Sequence, residues 1–206
     1  NFLEERKGPI LLDLLIQDNY QINVFSSAKF SYPEFDKTIF AKLSPNLLHD
    51  SCELEKGLQG WKYDRLNTDK MLQFIDKRDK SRPFMTFMFF EPPHALYHFP
   101  PENEIVKPYL EEFNYAEVDL KKDIQLIKNR YINSCNHLDS QFAKVLQYLQ
   151  DNALLDSTIV ILTGDHGEEF MEKGRWGHNS TFSEEQTKTP LILWVPGQSP
   201  RQIDSI

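Results

Sequence analysis

Three histidines and one aspartate stand where they could do chemistry. Asp165 and His166 are adjacent in ILTGDHGEEF, between Gly164 and Gly167, at the end of an apolar run. His178 follows in GRWGHNSTF, and His94 closes FMFFEPPH. One carboxylate with several imidazoles is a ligand set suited to a divalent ion such as Zn or Mn. The flanking glycines predict a backbone turn sharp enough for Asp165 and His166 to face one ion. On spacing alone, an Asp-His dipeptide in a loop is more often a solvated turn. His94 after two prolines can simply be exposed, and His178, next to Trp176, can be stacked on an aromatic ring. His49, His98 and His137 have no matching context and read as structural. Glu168 and Glu169 read as solvated residues at a helix start.

These residues need elements to hold them. Pro9 followed by Leu11, Leu12, Leu14 and Leu15 predicts a helix, and YQINVFSS a short strand directly after it. Residues 29–63 are irregular, broken by Pro33, Pro45, Gly57 and Gly60. LNTDKMLQFIDKRD predicts a shorter amphipathic helix. The run Phe84–Phe90, polar only at Thr86, has the pattern of a central strand buried on both faces of a parallel sheet. Residues 100–115 read as an acidic loop. From Asp119 to Gln150 apolar residues recur every three or four positions, through Leu120, Ile124, Ile127, Tyr131, Cys135, Leu138, Phe142, Leu146 and Leu149. Strands are expected at Thr158–Thr163 and in the Leu191–Val195 stretch, the latter closed by Pro196-Gly197. Strands alternating with helices predict an α/β fold in which all four strands share one mostly parallel sheet. Such sheets place their sites at the carboxyl ends of strands, where His94 and the Asp165-His166 pair fall.

Composition narrows the classes. The 206 residues are 40% hydrophobic and 26% charged, ordinary for a globular chain, and rich in rings with 15 Phe, 8 Tyr and 3 Trp. A formal net charge of -8 argues against a nucleic-acid partner. No apolar run is long enough to span a membrane. The two cysteines, Cys52 and Cys135, form no zinc pattern, and are either thiols or one bridge. Cys135 falls on the apolar stripe, which favours a packed thiol. The chain opens on Asn1 without an initiating Met and reads from its first residues as the interior of a folded unit, the pattern expected of a piece of a longer protein.

The stretch from Asp139 to Gly197, with STIVILTGDHGEEFMEKGRWGHNSTFSEEQTKTPLILWVPG at its centre, resembles the C-terminal half of the alkaline phosphatase–sulfatase superfamily. Within it the sequence is similar to the bacterial inner-membrane branch of phosphoethanolamine transferases, lipoteichoic-acid synthase-like enzymes and their sulfatase-like relatives. The resemblance implies an alkaline-phosphatase-like fold, with a mostly parallel central sheet flanked by helices. It implies that residues 1–206 are the C-terminal part of a single sulfatase-like catalytic domain, incomplete at the N-terminus. Asp165 and His166 match the metal ligands of the D-H-G motif; His178 and His94 match positions near the substrate phosphate. Where many sulfatases carry a lysine after the loop aromatic, Trp176 is followed here by Gly177 and His178. Imidazole suits Zn or Mn better than Ca, so phosphate esters are expected ahead of sulfate esters.

The family's nucleophile and first metal-binding acid match nothing in this chain, and Cys52 lacks the C-x-P-x-R context of a sulfatase cysteine. The implied activity is metal-dependent hydrolysis or transfer at esters of membrane lipid or envelope glycan. By itself this chain is expected to bind metal weakly and to turn nothing over. The resemblance also implies a periplasmic position at the bacterial inner membrane, tethered by upstream helices, and an oxidising compartment that permits a Cys52–Cys135 bridge. The alternative is a non-catalytic lipid-binding or regulatory periplasmic domain that keeps the fold.

Overall fold

A computed structural model describes residues 8–32, 34–50 and 60–203. Their contacts divide the chain into two compact units, Asn1–Val106 with Arg130–Val145, and Lys107–Asn129 with Leu146–Ile206.

The first unit is built on strand β1 (Gln21–Ser26), whose QINVFS sequence suits a pleated, enclosed position. Helix α1 (Ile10–Gln17) precedes it, starting directly after Pro9 as predicted. β1 pairs in parallel with β2 (Leu48–Asp50) on one side and β3 (Phe84–Phe89) on the other. Gln21 fixes the start of the β1–β3 register, because its side-chain amide both donates to Asp79 O (2.8 Å) and accepts from Asp79 N (2.9 Å). Val24 is completely buried, and Leu12, Ile22, Phe30, Phe40 and Leu43 close around it. Each such apolar side chain contributes about 1.5–3 kcal/mol by leaving water.

Three expectations fail here. β2 lies inside the stretch read as irregular; three residues led by a 3-10 turn, Pro45–Leu47, are too short to show alternation. The second helix, α2 (Gly60–Lys77), begins six residues before the leucine expected to open it, at a glycine read as a breaker. β3 is an edge of its three-stranded sheet and half-buried along its whole length, not a central strand buried on both faces.

The long helix α3 (Leu120–Asp151) matches its predicted span within one residue at each end. Asp119 is its N-cap, accepting from Lys121 N. Ile127 and Leu149 of the apolar stripe are buried, but the middle of the helix buries a different face. Residues 130–145 bury Arg130, Asn133, Ser134, His137 and Gln141, while Tyr131, Cys135, Leu138 and Phe142 are half-buried. The reason lies in the irregular chain before Val106, whose backbone groups need partners. Asn133 accepts from Ile105 N and Val106 N and donates to Val106 O, and Arg130 donates to Leu96 O. Burial pushes the Cys135 thiol pKa up, as for a packed thiol. Cys52, and with it the proposed bridge, lies outside the described residues.

In the second unit, β4 (Val160–Thr163) pairs antiparallel with β7 (Leu191–Trp194). Both strands occur where predicted, yet they form a two-stranded sheet of their own instead of joining β1 and β3. Between them lie a two-residue hairpin pair, β5 (Glu169–Phe170) with β6 (Trp176–Gly177), and the short helix α4 (Glu184–Thr187). No helix among the described residues is long and apolar enough to cross a membrane.

Candidate metal and ester site

β4 delivers its last residue, Thr163, into the turn Gly164–Gly167. There Asp165 Oδ1 accepts from His166 N (3.1 Å) and lies 3.7 Å from His166 Nε2. His166 Nδ1 is 2.9 Å from Gly167 O. A carbonyl can only accept, so Nδ1 carries the hydrogen and, in the neutral ring, Nε2 presents its lone pair on the side of Asp165. That is the tautomer a metal ligand needs. The glycines serve differently from the expectation. Neither Gly164 nor Gly167 adopts positive φ; Gly167 is required by proximity, since a Cβ there would lie 2.2 Å from Glu185 O and 2.9 Å from Lys188 O.

The loop after β6 brings in His178. Gly177, at φ 98°, turns the chain in a conformation that side chains disfavour. His178 stacks on His166, with ring centroids 3.7 Å apart and planes 22° from parallel, and Trp176 packs against Phe113 and Tyr115. His178 Nδ1 is 2.6 Å from Glu168 Oε2, and the two side chains are only 17% and 9% exposed. Donor atoms of His166, Glu168 and His178 lie within 4.8 Å of one another. Imidazole and carboxylate donors this close fit a divalent transition ion.

Glu168 and Glu169 are therefore not solvated helix-start residues. Glu168 orients His178. Glu169 opens β5, is fully buried, and accepts hydrogen bonds from Lys173 N, Arg175 N, Ser183 Oγ and Gln186 Nε2. Burial pushes its carboxyl up, but these donors outweigh that and hold it below the usual range.

His94 belongs to the first unit, in the turn after β3. It is exposed, with Nδ1 2.7 Å from Ala95 O. Asp64 on α2 fixes the turn by accepting from Glu91 N, and His94 N donates to Glu91 O. Asp64 is completely buried beside the equally buried His137, with 3.6 Å between Asp64 Oδ2 and His137 Nε2. Burial pushes the Asp64 pKa up, offset only in part by the neighbouring His137 ring and Ser27 hydroxyl; burial likewise raises Glu91. His137 is thus enclosed beside Asp64, and His49 is stacked on Phe25 and bonded to Asn23. His98 is half-buried, and burial with the Arg130 charge lowers its pKa.

The chain is 26% identical over 172 residues to human iduronate 2-sulfatase, covering 66% of this chain and 31% of that protein. Its fold superposes on the soluble domain of lipooligosaccharide phosphoethanolamine transferase A from Neisseria meningitidis with a TM-score of 0.68 at 18% identity, covering 91% of this chain and 54% of that one. It also superposes on the C-terminal periplasmic domain of EcEptC from Escherichia coli, solved in complex with Zn, with a TM-score of 0.63 at 14% identity, covering 92% and 52%. The chain thus spans about a third of the curated relative and about half of the solved domains, and its fold is alkaline-phosphatase-like, superposing with a TM-score of 0.58 at 13% identity, over 93% of this chain and 42% of the other, on a protein in the alkaline phosphatase superfamily from Vibrio parahaemolyticus. The Sulfatase family model matches residues 4–205, nearly the whole length, and the chain belongs to that family.

Proposed function

We propose that this chain supplies the metal-holding and oxygen-binding side chains of a hydrolase or transferase acting on phosphate esters, ahead of sulfate esters. The substrate class is membrane lipid or envelope glycan, met at the periplasmic face of a bacterial inner membrane. The observation that carries the reading is the facing pair Asp165 Oδ1 and His166 Nε2, with His178 stacked alongside.

Asp165 and His166 would hold a divalent ion, Zn or Mn before Ca. Such an ion lowers the pKa of a hydroxyl and offsets charge on the group being transferred. His178, oriented through Nδ1 by Glu168, would meet a non-bridging ester oxygen and offset its charge. His94, exposed in the turn after β3 with Nδ1 turned to Ala95 O, is the second substrate-binding histidine of this reading. No nucleophile is assigned among the described residues.

The test is turnover by the full-length protein of a phosphodiester and a matched sulfate ester, each with Zn, Mn and Ca. The phosphodiester should react faster, with Zn or Mn. His94→Ala should raise KM without weakening metal binding. Faster sulfate ester cleavage with Ca would contradict the phosphate assignment. Tight Zn binding with no turnover of either ester would favour a lipid-binding or regulatory domain.

A further inference from the structure

We propose that Glu169 is a positioning residue which, paired with Gln186, holds the loop between β5 and α4 so that His178 meets His166. The inference rests on the reading of His178 as a substrate-binding group. Its basis is a closed set of hydrogen bonds around one buried carboxylate. Glu169 Oε1 accepts from Lys173 N (3.1 Å) and Arg175 N (2.9 Å), on the limb of the loop before His178. Oε2 accepts from Ser183 Oγ (3.2 Å) and Gln186 Nε2 (2.8 Å), on the limb after it.

Gln186 completes the clamp. Its Oε1 accepts from Ser180 N and Thr181 N, both at 3.2 Å, and its Nε2 also donates to Ser180 Oγ (2.9 Å). Its backbone oxygen accepts from Gly167 N (2.9 Å), the residue after His166. The pair thus ties both sides of His178 to the turn that carries His166. Apolar packing does not replace it on the returning limb, where Phe182 is 97% exposed. The β5–β6 ladder adds only two residue pairs.

The hydrogen-bond chemistry permits an exchange test. Gln186→Glu alone sets two carboxylates against each other in a buried place, and Glu169→Gln alone sets two amide groups against each other. The double variant Glu169→Gln with Gln186→Glu restores one carboxylate and one amide. The amide oxygen at 169 then accepts from the backbone of Lys173 and Arg175, and the carboxylate at 186 accepts from the backbone of Ser180 and Thr181. The readout is the NOE between the ring protons of His166 and His178 in the metal-free protein, beside thermal unfolding. Each single variant should lose the NOE, and the double variant should regain it. If Gln186→Glu unfolds the protein, the milder Glu169→Gln and the double variant give the same comparison. Retention of the NOE in a folded single variant, or its loss in a folded double variant, overturns the proposal. Because no metal or substrate is present, failure of ester turnover with the NOE intact would count against the proposed function and leave the clamp standing.

Discussion

His178 and Glu168 form a hydrogen bond of 2.6 Å between Nδ1 and Oε2, in a place where the imidazole is 17% and the carboxylate 9% exposed. A carboxylate held this way fixes both the tautomer and the ring plane of its histidine. Replacing the charge while keeping the shape, in Glu168→Gln, leaves an acceptor but removes the charge-assisted part of the bond. The expected result is roughly a 10–100-fold fall in kcat/KM for the phosphate ester, the range for loss of such a supporting partner. Steady-state kinetics with thermal unfolding as a control checks it.

Gly167→Ala tests the close approach of the D-H-G turn to α4. The added Cβ would meet Glu185 O at 2.2 Å, so backbone must move. Overpacking of this kind costs about 1–3 kcal/mol. The hydrogen bond from Gly167 N to Gln186 O should be disturbed with it, and activity should fall further than stability alone explains. Denaturant unfolding and kinetics on the same variant separate the two effects.

Asp64→Asn tests the buried pair under His94. Burial raises the Asp64 pKa in the fold, so the folded state holds its proton more tightly than the unfolded chain does. The sign follows: this contribution to stability is fully present below the unfolded pKa and is lost as pH rises through the raised folded value. Asn keeps an acceptor for Glu91 N but cannot ionise. The melting temperature of Asp64→Asn should therefore fall less than that of the unaltered protein as pH rises above the ordinary carboxylate range. Parallel pH profiles of the two proteins would deny this ionisation penalty.

Much of the frame was legible because strong local signals coincide with tertiary demand. Asp119 caps α3, β1 has its predicted bounds, and Pro9 precedes α1. What sequence pattern could not show was how strands are shared between sheets, since a continuous apolar run does not say which neighbours it has. β3 became an edge, and β4 turned antiparallel to β7. The stripe on α3 misled for a related reason: periodicity marks apolar residues, whereas Asn133 and Arg130 are buried to satisfy backbone groups of a distant loop.

In the site, the motif residues Asp165, His166 and His178 were noticed by type; the structure stacks His178 on His166, and the donor atoms it gathers within 4.8 Å are those of His166, Glu168 and His178, with Asp165 set beside His166. Glu168, Glu169 and Gln186 were not legible, because polar residues that hold other polar residues have no period of their own. His94 lies in the other compact unit.

The central claim is that Asp165 and His166 hold a divalent ion. Calorimetric titration of the full-length protein with Zn and with Mn, repeated on Asp165→Ala, His166→Ala and the double variant, tests it most directly. The account predicts at least about tenfold weaker binding for each single variant, the scale of one lost ligand or more, and no measurable binding for the double variant. Equal affinity for Zn or Mn after both residues become alanine would contradict it, and the D-H-G segment would then be only a turn.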